Sequence, residues 1–336
     1  VRPSAASAGA VRHALSETGD RIPWQTGHLW ARLKARSAHG LRTGALESIE
    51  TTAEYLESVG MRFVVRILAN LSRKEKARKQ QGKTIPANPF LPYEEDLYVT
   101  DISETHLCLL NKFNVVDHHF LIVTREYESQ ENWLTLADFE ALVRCLSEVE
   151  GLAFFNGGTV AGSSQPHKHL QVVPNVREQV DFSMAAAIAA VEYEQARHEQ
   201  SEDEQAVGRS SLLPFRHTIT KFAYSDSLAS LVQPADQQTA EGSNAAQRYL
   251  TSYHQLLSAV GISSNNNWQG TQTAAYNLLC TRQWMMVVPR SQEKYLDISV
   301  NSLGFAGSLL VKNEKTLTRL KAVGPLNLLQ AVGYRR

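Results

Sequence analysis

The run Ser163-Ser164-Gln165-Pro166-His167-Lys168-His169-Leu170-Gln171-Val172-Val173 decides the reading of this chain. His167, His169 and Gln171 recur every second residue, while Leu170 and Val172 take the other parity. Alternation that ends in β-branched residues predicts a strand. Residues i and i+2 of a strand share one face, about 6–7 Å apart. Two imidazoles and an amide therefore line one surface. Just upstream, Asn156-Gly157-Gly158-Thr159-Val160-Ala161-Gly162 is a connection of small residues, whose backbone N–H groups can approach an anion closely.

Attack on a phosphate diester or anhydride needs a nucleophile, charge neutralisation and a route for the leaving group. A neutral imidazole nitrogen is a competent nucleophile near pH 7. Its second nitrogen then needs an acceptor, usually a backbone carbonyl, to hold the N–H. The amide of Gln171 can donate to a phosphate oxygen but cannot titrate.

Outward from this run, Leu152 to Phe155 predicts a short strand. Leu134 to Gly151 predicts an amphipathic helix with the stripe Leu136, Phe139, Leu142, Val143, Leu146 and Val149; Thr135 and Asp138 approximate a capping box. Thr105–Leu110 and His119–Thr124 predict strands around a turn at Asn111-Lys112-Phe113-Asn114. Residues 44–60 carry Leu46, Ile49, Ala53, Leu56 and Val59 at helical spacing, with Gly60 as the stop. Phe63–Leu68 reads as a strand, and Leu71–Lys83, with six Lys/Arg among thirteen residues, as a solvated basic loop or an arm over a polyphosphate. Ala185–Glu199 and Arg248–Val260 predict helices; Ala275–Cys280 and Trp284–Val288 predict strands. His119-Phe-Leu-Ile-Val-Thr-Arg125 is echoed by Trp284-Met-Met-Val-Val-Pro-Arg-Ser291, which points to a duplicated module whose second copy lacks the histidine pair.

The 34 Lys/Arg balance 34 Asp/Glu, so nothing marks a nucleic-acid binder, and no apolar run is long enough to span a membrane. Cys108, Cys145 and Cys280 are sparse and unpaired in spacing, which argues against a disulfide framework and a cysteine-rich zinc site. His106, His118 and His119 lie together in sequence, but without paired cysteines no structural metal is expected. Val1 to Ala10 has no apolar signal core, and a cytoplasmic setting is expected.

The histidine run resembles the H-x-H-x-Q signature of the transferase branch of the histidine triad superfamily, which holds the galactose-1-phosphate uridylyltransferases and the diadenosine tetraphosphate phosphorylases. The form S-x-Q-P-H-K-H-L-Q looks like the second group, and the resemblance runs from about Leu29 to Gly333. It implies an α+β fold of duplicated histidine-triad-like half-barrels forming one extended, mostly antiparallel sheet flanked by helices. The whole of 1–336 would be one transferase-like unit with halves 1–180 and 181–336. It implies His169 as nucleophile, His167 as its support, and Gln171 in place of the hydrolases' third histidine, holding a nucleotidyl-histidine until an acceptor other than water arrives.

Further matches imply substrate contacts. They are Lys74 in the basic run; Asn111 and Lys112 in an N-K-F element; Asn156; and Gly162, Ser163, Ser164 and Gln165 in the phosphate-binding segment. Thr271, Gln272 and Thr273 follow, then Leu278 and Arg282 within Tyr276-Asn277-Leu278-Leu279-Cys280-Thr281-Arg282-Gln283-Trp284, where arginine replaces the family lysine. The implied reaction is phosphorolysis of diadenosine polyphosphate by orthophosphate to ATP and ADP. The same reading expects no covalently bound cofactor, magnesium travelling with the polyphosphate, and a monomer. Two alternatives stand beside this reading: a hexose-1-phosphate uridylyltransferase, whose motif has proline where Lys168 stands, and a non-catalytic nucleotide-binding protein.

Overall fold

The computed structural model describes residues 21–68, 88, 90–174, 184–193, 206–222, 238–265 and 267–336. Lys74 and the basic run Leu71–Lys83 lie outside the described residues. The centre is a ten-stranded sheet of β3 (Tyr98–Asp101), β4 (His106–Leu110), β5 (Phe120–Thr124), β6 (Gly151–Gly157), β7 (His169–Pro174), β8 (Val191–Tyr193), β9 (Gly208–Ser210), β10 (Thr218–Lys221), β11 (Tyr276–Cys280) and β12 (Trp284–Pro289), in the order β3-β4-β5-β7-β6-β11-β12-β10-β9-β8. Every pairing within it is antiparallel.

The order is palindromic. β6 and β11 are central neighbours with Phe154 opposite Leu279; outward run β7, β5, β4, β3 on one side and β12, β10, β9, β8 on the other. Each half also inserts a helix before its central strand: α2 (Leu136–Glu148) before β6 and α4 (Gln238–Ala259) before β11, after α1 (Leu29–Thr43) and α3 (Met184–Ala189). The duplication is therefore real, but its register differs from the sequence echo. Val172-Val173-Pro174 of β7 corresponds to Val287-Val288-Pro289 of β12, since each proline pairs with the first residue of its central strand, Gly151 and Tyr276. His167, His169 and Gln171 thus correspond to Arg282, Trp284 and Met286, and His119 to His217. The echo instead aligned β5 with β12, because short apolar strands look alike.

The back face packs Cys108, Leu110, Ile122, Leu170, Val172, Phe155, Leu278 and Met285 against α1, α2 and α4. On the front, the second half is covered. There Leu279, Met286, Val288 and Ile219 lie under β1 (Thr51–Ser58), β2 (Met61–Leu68) and β15 (Ser308–Val311), together with the C-terminal helices. Between these run β13 (Lys294–Tyr295), β14 (Ile298–Ser299) and α5 (Ser302–Phe305); α6 (Glu314–Val323) and α7 (Pro325–Val332) close the chain. On the histidine half the front face carries a smaller cluster, Tyr98, Leu107, Leu109, Leu121 and Val123 under Phe90 and the partly buried Tyr93.

The expected helix at 44–60 is instead the hairpin β1–β2. Val59 and Gly60 both have positive φ, 50° and 73°, and join Ser58 to Met61 as a two-residue turn. β-Forming Thr51, Thr52 and Tyr55 in full register with β2 outweigh a loose helical spacing. The helix expected from Ala185 stops at Ala189, because Val191–Tyr193 adds to the sheet edge beside β9. α2 keeps its capping box: the Asp138 carboxylate accepts from the Thr135 N–H at 2.7 Å and hydroxyl at 2.8 Å.

Candidate active site

β7 begins at His169, where antiparallel pairing sets Gln171 between Leu121 and Phe154. The Nδ1–H of His169 donates to the His167 carbonyl at 2.8 Å. That bond leaves Nε2 with its lone pair. Burial, the leading cause, lowers the His169 pKa to about 4 against the opposing pull of the His167 carbonyl, so the ring is neutral at pH 7. The rings of His167 and His169 both meet the edge of Phe90, at 5.6 and 5.4 Å between centroids. His167 Nε2 lies 2.9 and 3.1 Å from the carbonyls of Thr124 and Glu126, and Nδ1 lies 3.0 Å from Asn88 Oδ1. His167 is thereby a fixed scaffold whose own carbonyl orients the second ring.

The backbone of His169 is held by a residue the sequence reading missed. Gln130 Oε1 accepts the His169 N–H at 2.8 Å, and its Nε2 donates to the carbonyls of Asn156 at 2.9 Å and His169 at 3.3 Å. One amide thus joins the histidine strand to β6. Beyond Gln171, Asn111 Nδ2 lies 3.2 Å from His119 Nδ1. His119 is buried beside the Gln171 side chain.

The glycine connection is a tight turn around Thr159–Ala161. Gly162 has φ 91°, and a Cβ there would fall 2.7 Å from the Val300 carbonyl, so only glycine fits. Ser163 N–H donates to the Gly158 carbonyl, Ser163 Oγ donates to the Gln165 carbonyl at 3.0 Å, and Ser164 is exposed at the rim. Gln272 braces the turn from the second half, donating Nε2 to the Gly157 carbonyl at 2.7 Å and N–H to the Glu131 carbonyl. Its neighbours join the brace: Thr271 bridges to Asn132, and Thr273 donates to the Ser263 carbonyl at 2.8 Å.

Beneath the turn lies a buried network. Asn156 Oδ1 accepts from Asn277 Nδ2 at 2.8 Å and from the N–H and hydroxyl of Ser302 at 2.9 and 2.7 Å. Arg290, 2 % exposed, donates to Asn277 Oδ1 at 2.6 Å and to the carbonyls of Ala161, Val300 and Val332, and reaches those of Gln292 and Glu293. Desolvation brings its pKa down to about 10, so it remains a cation at neutral pH. Arg290 thus places a buried positive charge under the glycine turn.

Three expected substrate-contact residues, Arg282, Leu278 and Lys112, make other contacts in the structure. Arg282 corresponds to His167 in the second copy and follows Asn277 by five residues along its hairpin. It therefore sits about 16 Å up the sheet from the level of His169. Its guanidinium donates to the carbonyls of Leu146 at 2.6 Å and Ser147 at 3.1 Å, capping α2. Leu278 is fully buried on the back face, opposite to His169, because it alternates with the front-facing Asn277. Lys112, expected to contact substrate, pairs with Glu94 at the surface at 2.7 Å.

Arg282→Ala should accordingly lower stability by about 1–2 kcal/mol and leave nucleotide affinity unchanged. Chemical denaturation and calorimetric titration with nucleotide check the two halves. Acid sensitivity is a second expected property. His119, His169, His217 and His254 are each held near 4, from an ordinary 6.5, with burial the leading cause. Between pH 6.5 and 4 the unfolded chain binds protons that the folded chain refuses. Their stabilisation is therefore present above about pH 6.5 and lost as pH falls toward 4. Urea midpoints measured across that window should fall steadily; a flat profile would contradict the neutral buried rings.

Among the described residues no group of three or more His, Cys, Asp or Glu converges as a metal cage, and no helix is long and apolar enough to cross a membrane. The three cysteines are buried free thiols.

The duplicated sheet thus presents two imidazoles, one with an open Nε2, beside a glycine turn braced from the second half. Residues 19–191 match the Ap4A phosphorylase N-terminal domain, and residues 211–335 match the ATP adenylyltransferase C-terminal domain. The chain belongs to the Ap4A phosphorylase family. Among relatives, the Saccharomyces cerevisiae diadenosine tetraphosphate phosphorylase 2 is 27% identical over 296 residues, covering 82% of this chain and 81% of that protein. Protein APA1 of the same yeast is 27% identical over 288 residues, 81% and 82% of the two chains. The crystal structure of yeast Ap4A phosphorylase Apa2 in complex with Ap4A shares the fold, with a TM-score of 0.68 at 23% identity over 91% of this chain and 97% of that one.

Proposed function

We propose that the chain phosphorolyses diadenosine tetraphosphate with orthophosphate, giving ATP and ADP through an adenylyl-histidine. The carrying observation is the His169 Nδ1–H bond to the His167 carbonyl, which presents a neutral Nε2 lone pair beside an anion-facing turn. Nε2 forms a bond to the α-phosphorus as the bridging P–O bond breaks, and ATP leaves with the bridging oxygen. Orthophosphate oxygen then bonds to the same phosphorus, the P–N bond breaks, and ADP leaves. Each in-line step inverts the phosphorus, so the pair retains its configuration. The Ala161, Gly162 and Ser163 N–H groups are used within the turn, so the Ser164 and Gln165 N–H groups and the Gln171 amide supply donors for the developing charge, with Arg290 beneath the turn.

Since Gln171 cannot exchange protons, it gives water no base, and the adduct persists for phosphate. Magnesium would arrive on the polyphosphate oxygens as part of the substrate. A single chain supplies both the histidine strand and the turn facing it, which suits a monomer, and the buried free thiols suit the cytoplasm.

The test is isotope exchange. Labelled orthophosphate should enter ADP with no dinucleotide present, because ADP alone adenylylates the enzyme in reverse. Absence of exchange, with intersecting rather than parallel double-reciprocal lines, would require direct transfer in a ternary complex. Turnover of UDP-glucose in preference to diadenosine tetraphosphate would favour the uridylyltransferase alternative.

A further inference from the structure

Lys168 stands between the two histidines yet faces the other side of the sheet. Its side chain is fully buried, with Nζ 2.7 Å from Asp138 Oδ2 and 2.8 Å from Glu128 Oε2. Asp138, itself 1% exposed, also receives His106 Nε2 at 3.1 Å and the Thr135 cap. Burial pushes the Asp138 carboxyl up, but the His106 bond and the Lys168 charge overcome it and hold the pKa at about 2. A buried ion pair gains little net stability over well-packed apolar residues, and where such pairs persist they can fix a geometry.

The geometry at stake is one peptide plane. The His167 carbonyl and the Lys168 N–H belong to the same planar, trans unit and point opposite ways. The N–H donates to the Glu128 carbonyl at 2.8 Å, while the carbonyl accepts the Nδ1–H of His169 at 2.8 Å. Glu128 therefore grips Lys168 twice, by its backbone carbonyl and by its carboxylate, and Asp138 ties the same ammonium to α2. If this plane rotated, the carbonyl would leave the imidazole and the proton could move to Nε2, removing the lone pair that attacks.

We propose that Lys168 is a positioning residue whose ion pairs with Asp138 and Glu128 fix the His167–Lys168 peptide and so set the tautomer of His169. The inference rests on His169 as nucleophile, but the tautomer can be read in the free enzyme without substrate.

The experiment is NMR of the full chain carrying isotope-labelled histidine, with the His169 signals assigned by loss in His169→Ala. The wild type should show a protonated Nδ1 and an unprotonated Nε2. Lys168→Met should show averaged nitrogen shifts, and adenylylation by ADP should slow about tenfold or more, as a misplaced tautomer predicts. Nucleotide affinity should stay within about twofold, because the side chain lies behind the sheet. Should Lys168→Met fail to fold, Glu128→Gln at the half-exposed partner weakens the same tether and should move the shifts and the rate in the same direction.

Unchanged His169 shifts and rate in whichever variant folds would overturn the proposal. So would affinity and rate falling together in proportion to lost stability. A wild type with the expected tautomer but no adenylylation would instead overturn the proposed function.

Discussion

Replacing His169 by alanine should lower phosphorolysis by about 10³-fold or more, since the variant removes the atom that forms the covalent bond. The backbone of residue 169 would keep its bonds to Gln130, and Phe90, Gln171 and the glycine turn would remain. Nucleotide binding should therefore persist, and the thermal midpoint should not fall. It should even rise slightly at pH 5, where a buried imidazole that resists protonation costs stability. Steady-state rates, nucleotide titration and thermal melts together check this. A variant with most of its turnover intact would remove His169 from the mechanism.

The second large effect belongs to a residue that touches no reacting atom. Arg290→Met should destabilise the fold by about 3–5 kcal/mol, because the buried guanidinium ties together carbonyls from three segments and the Asn277 side chain. It also removes the cation below the turn and frees Asn277, which holds Asn156. Whatever fraction folds should bind polyphosphate more weakly than adenosine. Denaturation midpoints and paired titrations with ATP and adenosine measure the two consequences. A stability within about 1 kcal/mol of wild type would mean the carbonyls find other donors.

The histidine strand was legible because its pattern is local. Two-residue alternation puts both histidines and Gln171 on view in eleven residues, and the Nδ1 acceptor lies only two positions away. The helix before it was legible for the same reason, as stripe and capping box are contained in a few turns. Gln130 and Arg290 were not legible. Gln130 acts across 39 positions and Arg290 across 129 to reach Ala161, through backbone carbonyls that leave no trace in sequence.

Arg282 shows the converse case. Its T-R-x-W setting resembled a binding motif, yet the two-fold arrangement of the sheet carries it to the far end, where it caps α2. Residues 44–60 misled because five apolar positions fit a helix loosely, while the turn at Val59-Gly60 and the pairing partner β2 decided for a hairpin.

The central claim is that Nε2 of His169 takes the adenylyl group. Brief exposure of the enzyme to diadenosine tetraphosphate without phosphate, followed by intact-mass measurement and peptide mapping under alkaline conditions, tests it most directly. The account predicts a gain of one adenylyl group, mapped to His169, that orthophosphate discharges as ADP. An unmodified mass during demonstrable turnover, or a label on any other residue, would contradict it.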